Sequence, residues 1–159
     1  MPASIAESIR AYETAPLLIG AVLEGLREEQ FHYIPAKGEW SIHEIIIHLA
    51  DSEVVGFWRI RKTLAEPGTT IQLYDENAWA KQLLYRWQDH TLAMNLFTAL
   101  RASTAALLRS LPEEAWERTS IHPEHGEVNV SQFLNTYLEH GEVHIRQIER
   151  IKQTFPSML

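Results

Sequence analysis

His140 and His144 stand four residues apart in a segment, Val130 to Lys152, whose apolar residues recur at helical spacing. At about 100° per residue, Phe133, Leu134, Tyr137, Leu138, Ile145, Ile148 and Ile151 gather on one side of that helix. Gln132, Asn135, Glu139, Glu142, Arg146, Glu149 and Arg150 gather on the other. Both histidines belong to the apolar side, His144 between Tyr137 and Phe133 in angle and His140 at the near edge. The i, i+4 spacing stacks them one turn apart, and two imidazoles so placed can hold one metal ion, as they do in zinc sites. The competing expectation is that each packs at the edge of the core and hydrogen-bonds a neighbour.

A third ligand has to come from another helix. In the earlier segment that starts at Ser41, the residues Glu44, His48, Asp51 and Ser52 form one polar strip between apolar flanks. That strip is either a functional seam facing the interior or a solvent face, and His48 within it is preferred over His43. Glu44 already has a structural task, because Ser41 followed by Glu44 is a capping box. His32, His43, His90, His122 and His125 fall in loops or near helix starts, where surface or capping roles are expected. His122 and His125, around Pro123, reach a site opening only if their loop folds over it. Trp40, Trp58, Trp79, Trp87 and Trp116 are expected as core and loop anchors.

The composition narrows the chemistry. With eight histidines and no cysteine, disulfides, thiolate metal sites and a cysteine nucleophile are excluded, so a transition metal would rest on imidazole and carboxylate. The net charge is −7 and the 14 Lys and Arg residues are scattered, so nucleic acid is not an expected partner. A chain that is 45% hydrophobic and 22% charged is ordinarily globular, and 159 residues suit one domain spanning 1–159. The longest uncharged runs reach only about half of the roughly 18 residues that a membrane span needs. The start, Met1-Pro2-Ala3-Ser4, lacks the basic and apolar blocks of a signal peptide, so a cytoplasmic location is expected.

These side chains need helices to position them. Ile5, Ile9, Tyr12, Ile19, Leu23 and Leu26 predict a first helix, with a kink or break at Pro16. Glu28 to Phe31 adds a short turn, and Tyr33 to Glu39 reads as a loop. The second helix runs from Ser41 to about Leu64, before Pro67-Gly68. A short helix is expected near Asp75 to Leu83. Asp89 caps a third long helix with Leu92, Leu96, Leu100 and Leu107 turned inward, ending before Pro112. A loop with Trp116, Pro123 and Gly126 leads to the last helix, and no segment reads as a strand. Four long helices with two sizeable connections predict an all-α four-helix bundle in which some neighbours are not hairpins.

The run Gly38-Glu-Trp-Ser-Ile-His-Glu-Ile-Ile-Ile-His-Leu-Ala-Asp-Ser-Glu53 resembles the signature of the DinB superfamily, in the branch provisionally called metal-dependent hydrolases. Tyr74-Asp-Glu-Asn-Ala-Trp79, His122-Pro-Glu-His-Gly-Glu127 and His140-Gly-Glu-Val-His-Ile-Arg-Gln-Ile148 resemble further segments of that branch, in order along the chain. The resemblance implies an up-down-down-up bundle, metal ligands at His48, His140 and His144, and a homodimer. Some relatives carry another histidine where this chain has Glu53. Three neutral imidazoles would leave a divalent ion, Zn or Ni first and Fe next, with its full charge and an open position. Asp51 and Gln147 are the candidates for orienting an imidazole or a bound water. The first expectation for function is a thiol S-transferase that joins a low-molecular-weight thiol to small electrophiles. The others are a hydrolase using metal-activated water and a non-catalytic, stress-related metal-binding protein.

Overall fold

Each long helix begins on a side chain that closes its free N–H groups. Ser4 caps α1 (Ile5–Leu23), Ser41 caps α3 (Ile42–Ala65), Asp89 caps α5 (His90–Arg109) and Asn129 caps α6 (Val130–Thr154). At three of these starts the residue three positions on, Glu7, Glu44 or Gln132, returns a hydrogen bond to the cap, completing a capping box. Two short helices, α2 (Glu28–Phe31) and α4 (Glu76–Gln82), lie in the connections, with single 3₁₀ turns at Tyr85–Trp87 and Glu113–Glu117. The computed structural model describes residues 4–156.

Side-chain pairings fix the direction of each helix. Lys152 at the end of α6 donates to the carbonyl of Val22 at the end of α1, so these two run parallel. His48 meets His140 early in α3, and Arg59 meets Tyr137 later in it, so α3 runs antiparallel to α6. His43 packs on His90 and Arg61 donates to Thr104, so α3 and α5 are parallel. The result is an up-down-down-up four-helix bundle, with α1 and α3 on one diagonal and α5 and α6 on the other.

Pro16 does not break α1, which is continuous from Ile5 to Leu23. A proline at position 16 has no N–H for the carbonyl of Tyr12. Arg101 of α5 supplies the missing donor, its Nη1 lying 3.1 Å from that carbonyl oxygen. The inward stripe of α5 also differs from expectation. Ala93, Phe97, Arg101, Thr104, Ala105 and Leu108 are buried, whereas Leu92 and Leu96 are exposed. Burying Arg101 against Glu53 sets the rotation of the helix and turns those two leucines out. By length and composition α5 is apolar enough to cross a membrane; here it packs against α1 and α3 with Arg101 on its buried side.

The expected absence of strands is corrected as well. β1 (Thr119–His122) pairs antiparallel with β2 (Gly126–Asn129), Thr119 opposite Asn129 and His122 opposite Gly126. Gly126, at φ +72°, takes the left-handed conformation that closes the turn. The buried face of β1 is Ser120 and His122, so no apolar alternation marks it in the sequence. The hairpin leads directly into α6.

Two apolar clusters fill the bundle. One gathers Ile9, Tyr12, Ile60, Leu108 and Phe133; the other gathers Ile19, Ile46, Leu49, Phe97 and Ile148. On α3, α5 and α6 the residues between the clusters include Glu53, Arg101, His140 and His144. A polar layer therefore crosses the middle of the molecule.

Candidate metal centre

His48 sits one turn beyond the capping box of α3, and the strip that carries it faces inward: His48 is fully buried and Ser52 is 4% exposed. His140 and His144 project from successive turns of α6 toward it. Nε2 of His48 lies 3.0 Å from Nε2 of His140, which lies 3.1 Å from Nε2 of His144. The ligand atoms of all three lie within 4.8 Å of one another, and no carboxylate belongs to the group.

Burial is the main force on their protonation. It pushes His48 down to about 2 and His140 down to about 3, with neighbouring charges adding to the effect, and it lowers His144 as well. The imidazoles are therefore neutral near pH 7. Gln147 Oε1 lies 2.8 Å from Nδ1 of His144 and accepts its proton, which leaves a lone pair on Nε2. Nδ1 of His48 is buried without a hydrogen-bond partner. Three converging nitrogens with at most one N–H each cannot satisfy one another. A shared cation fits such a set, because it accepts every lone pair at once.

The surroundings divide into walls and engaged groups. Trp40 packs on the His48 ring at 4.6 Å between centroids. Gln147 is placed as the sequence suggests, on His144. Asp51 hydrogen-bonds Tyr85 rather than an imidazole: its Oδ2 accepts from the Tyr85 hydroxyl at 2.7 Å. Glu44 is held by Ser41 in the helix cap.

Behind the triad lies a second buried polar group. Arg101 is fully buried and donates through Nε to Glu53 Oε2 at 2.8 Å, and through its other nitrogens to the carbonyls of Tyr12 and Tyr137. The Tyr12 hydroxyl donates to the other oxygen of Glu53. Rings of Tyr12 and Phe97 cover the guanidinium at 4.3 and 4.6 Å. Gly141, between the two α6 histidines, packs against that guanidinium at 3.5 Å from its ideal Cβ position. Arg101 gave no signal in the sequence, since a lone arginine in an apolar helix looks like a surface residue.

Two other histidines depart from the surface roles expected of them. His43 is 4% exposed, with Nε2 3.2 Å from the carbonyl of Tyr85. His122 is also buried and stacks on exposed His125 in the hairpin loop. Of the tryptophans, Trp116 is a core residue, Trp87 is exposed, and Trp58 and Trp79 line an apolar pocket of ≈ 490 Å³ with Val55 and Tyr74.

Comparison with known proteins agrees with this fold. The sequence model of the DinB superfamily matches residues 11–148. A protein of Oceanobacillus iheyensis with the provisional name metal-dependent hydrolase is 31% identical over 144 residues, covering 91% of this chain and 83% of its own. A Bacillus licheniformis protein of the same provisional name is 34% identical over 136 residues, covering 85% and 77%. Among solved structures, YfiT from Bacillus subtilis superposes with a TM-score of 0.86 at 26% identity, covering 92% of this chain and 85% of that one. It is described as a metal-dependent hydrolase, again provisionally, with an unusual four-helix bundle topology. A mycothiol-dependent maleylpyruvate isomerase shares the fold at a TM-score of 0.73 and 14% identity, covering 92% of this chain and 61% of its own.

Proposed function

The chain belongs to the DinB superfamily, and we propose that it is a metal-dependent enzyme that joins a small-molecule thiol to a small electrophile at His48, His140 and His144. The observation that carries this reading is the donor set, three converging neutral imidazoles, two buried and His140 half-buried, with no carboxylate among them. Neutral donors leave the charge of a divalent cation, Zn or Ni first and Fe next, undiminished for an incoming group. When bound, such an ion supplies Lewis-acid chemistry and favours the ionised form of a thiol or water that reaches it.

The chain's own residues prepare that chemistry. Burial keeps the three imidazoles unprotonated, Gln147 holds the proton of His144 on Nδ1, and the Trp40 ring shields one side of His48. The carboxylates of α3 that neighbour the triad in sequence are engaged elsewhere: Glu44 with Ser41, Asp51 with Tyr85, Glu53 with Arg101 and Tyr12. A thiol needs no base held in place once it is ionised, whereas hydrolysis gains from one. With no cysteine in the chain, the thiol comes from outside.

Hydrolysis is the second reading, favoured by the provisional names of the relatives. Metal content of tag-free protein followed by product analysis separates the two. A thiol–electrophile conjugate formed only by metal-loaded protein supports S-transfer. Turnover with water alone supports hydrolysis, and neither product from loaded protein returns the site to a binding role. Pairing of two copies, implied by the family resemblance, belongs to the same proposal and is checked by sedimentation velocity.

A further inference from the structure

Along α6, Thr136 and Gln132 precede His140 by one and two turns, and they line a second pocket of ≈ 250 Å³ together with Arg59, His122 and His125. We propose that this pocket binds the carboxylate or phosphate group of an anionic small molecule.

Arg59 is the centre of the argument. Its Nη2 donates to the carbonyl of Gln72 at 2.7 Å and its Nη1 to the Tyr137 hydroxyl at 3.3 Å. Both acceptors are neutral, and among the described residues Arg59 makes no ion pair. Its Nε is buried and has no hydrogen-bond partner. A fixed guanidinium without a counter-charge, in a chain of net charge −7, is an unusual thing to hold beside a pocket.

Two other polar groups of the pocket offer donors too. The backbone N–H of Glu124 donates to Nδ1 of His122 at 3.2 Å, so the proton of that neutral ring is on Nε2. Gln132 uses its Oε1 to accept from the Asn129 N–H, which leaves its NH₂ to donate. Three donors, one of them cationic, suit an oxyanion.

The competing ligand is a cation, because ligand atoms of His122, Glu124 and His125 lie within 4.8 Å of one another. Two observations disfavour it. The Nδ1 lone pair of His122 is already used by Glu124 N–H. Burial opposes positive charge on His122, as do neighbouring His125 and Arg59, while the acidic Glu124 works the other way.

The pocket and the triad share the α3–α6 interface. His48, Ser52, Val55 and Arg59 recur at spacings of four, three and four on α3, with about 16 Å of helix rise from first to last. The oxyanion pocket does not depend on the triad's being a metal centre.

The test is calorimetric titration of metal-loaded protein with sodium phosphate and, separately, sodium succinate at constant ionic strength. Saturable one-to-one binding of either is expected, and the stronger of the two identifies the source of the oxyanion. Arg59→Gln should weaken it at least tenfold and exposed His125→Ala severalfold, while Arg59→Lys, which keeps the charge but not Nε–H, falls between wild type and Arg59→Gln. If Arg59→Gln does not fold, the Lys and His125 variants carry the comparison. In His48→Ala the anion should still bind, which separates this pocket from the metal. Heat that never saturates, or binding unchanged by Arg59→Gln or lost only with His48→Ala, would overturn the proposal. So would an equivalent of Zn²⁺ that His48→Ala retains and a further His125→Ala removes.

Discussion

Two polar groups are buried side by side in the middle of this bundle, and they are built on opposite plans. Glu53, Arg101 and Tyr12 partner one another: each oxygen of Glu53 accepts a hydrogen bond, each nitrogen of Arg101 donates one to a carboxylate or a carbonyl, and two aromatic rings cover the guanidinium. His48, His140 and His144 turn three nitrogens toward one point with no counter-charge and too few protons to pair them. A buried network whose members satisfy each other stabilises one arrangement of helices. A buried set that cannot satisfy itself is completed by something from outside. The first reads as structure and the second as function, though α3 contributes to both.

Breaking each group separately tests that contrast. The largest effect is expected for His144→Ala, which should take metal from about one equivalent to none by mass spectrometry, with a smaller change in metal-free stability than any break in the Arg101 group. Stoichiometric metal in that variant would end the ligand assignment. Arg101→Met should do the reverse: a loss of about 3–5 kcal/mol in denaturant unfolding, because Glu53 is left buried without its partner. If it costs less than about 1 kcal/mol, the satisfied network is not what holds the helices.

Gln147→Ala should lower metal affinity roughly 10- to 100-fold in a chelator competition while leaving metal-free stability nearly unchanged. Gly56 of α3 faces the buried Tyr137 ring of α6, and a Cβ there would lie 2.7 Å from that ring. Gly56→Ala should therefore cost about 1–3 kcal/mol by overpacking. Because it spreads the two helices that carry the triad, it should also weaken metal binding.

The smallest effect on metal is expected for His43→Leu, which should retain one equivalent. Burial holds His43 below the usual histidine range, so the folded protein keeps it neutral while the unfolded chain protonates it below about pH 6.5. The stability it supports is present above that value and is lost as pH falls toward its folded value. His43→Leu should thus show a shallower loss of stability between pH 7 and pH 5 than wild type. An identical slope would mean that His43 is not neutral in the fold.

Much of this molecule follows from local rules. The caps at Ser41 and Asp89, the stop before Pro67 and the shared face of His140 and His144 all depend on contacts within one or two turns, which the chain carries in its own spacing. Likeness of motifs then pointed to His48, which periodicity alone left between an inner seam and a solvent face. The parts that escaped are those in which one element completes another. Pro16 passes through α1 because a distant arginine bonds the carbonyl it frees. Leu92 and Leu96 face out because that same arginine turns inward to Glu53. The hairpin buries serine and histidine, so no apolar alternation announces it. The sequence by itself determined where helices begin and end and which residues share a face. Only the tertiary structure decided which faces meet, because the stability of a buried charge or an unpaired carbonyl depends on a partner that lies dozens of residues away.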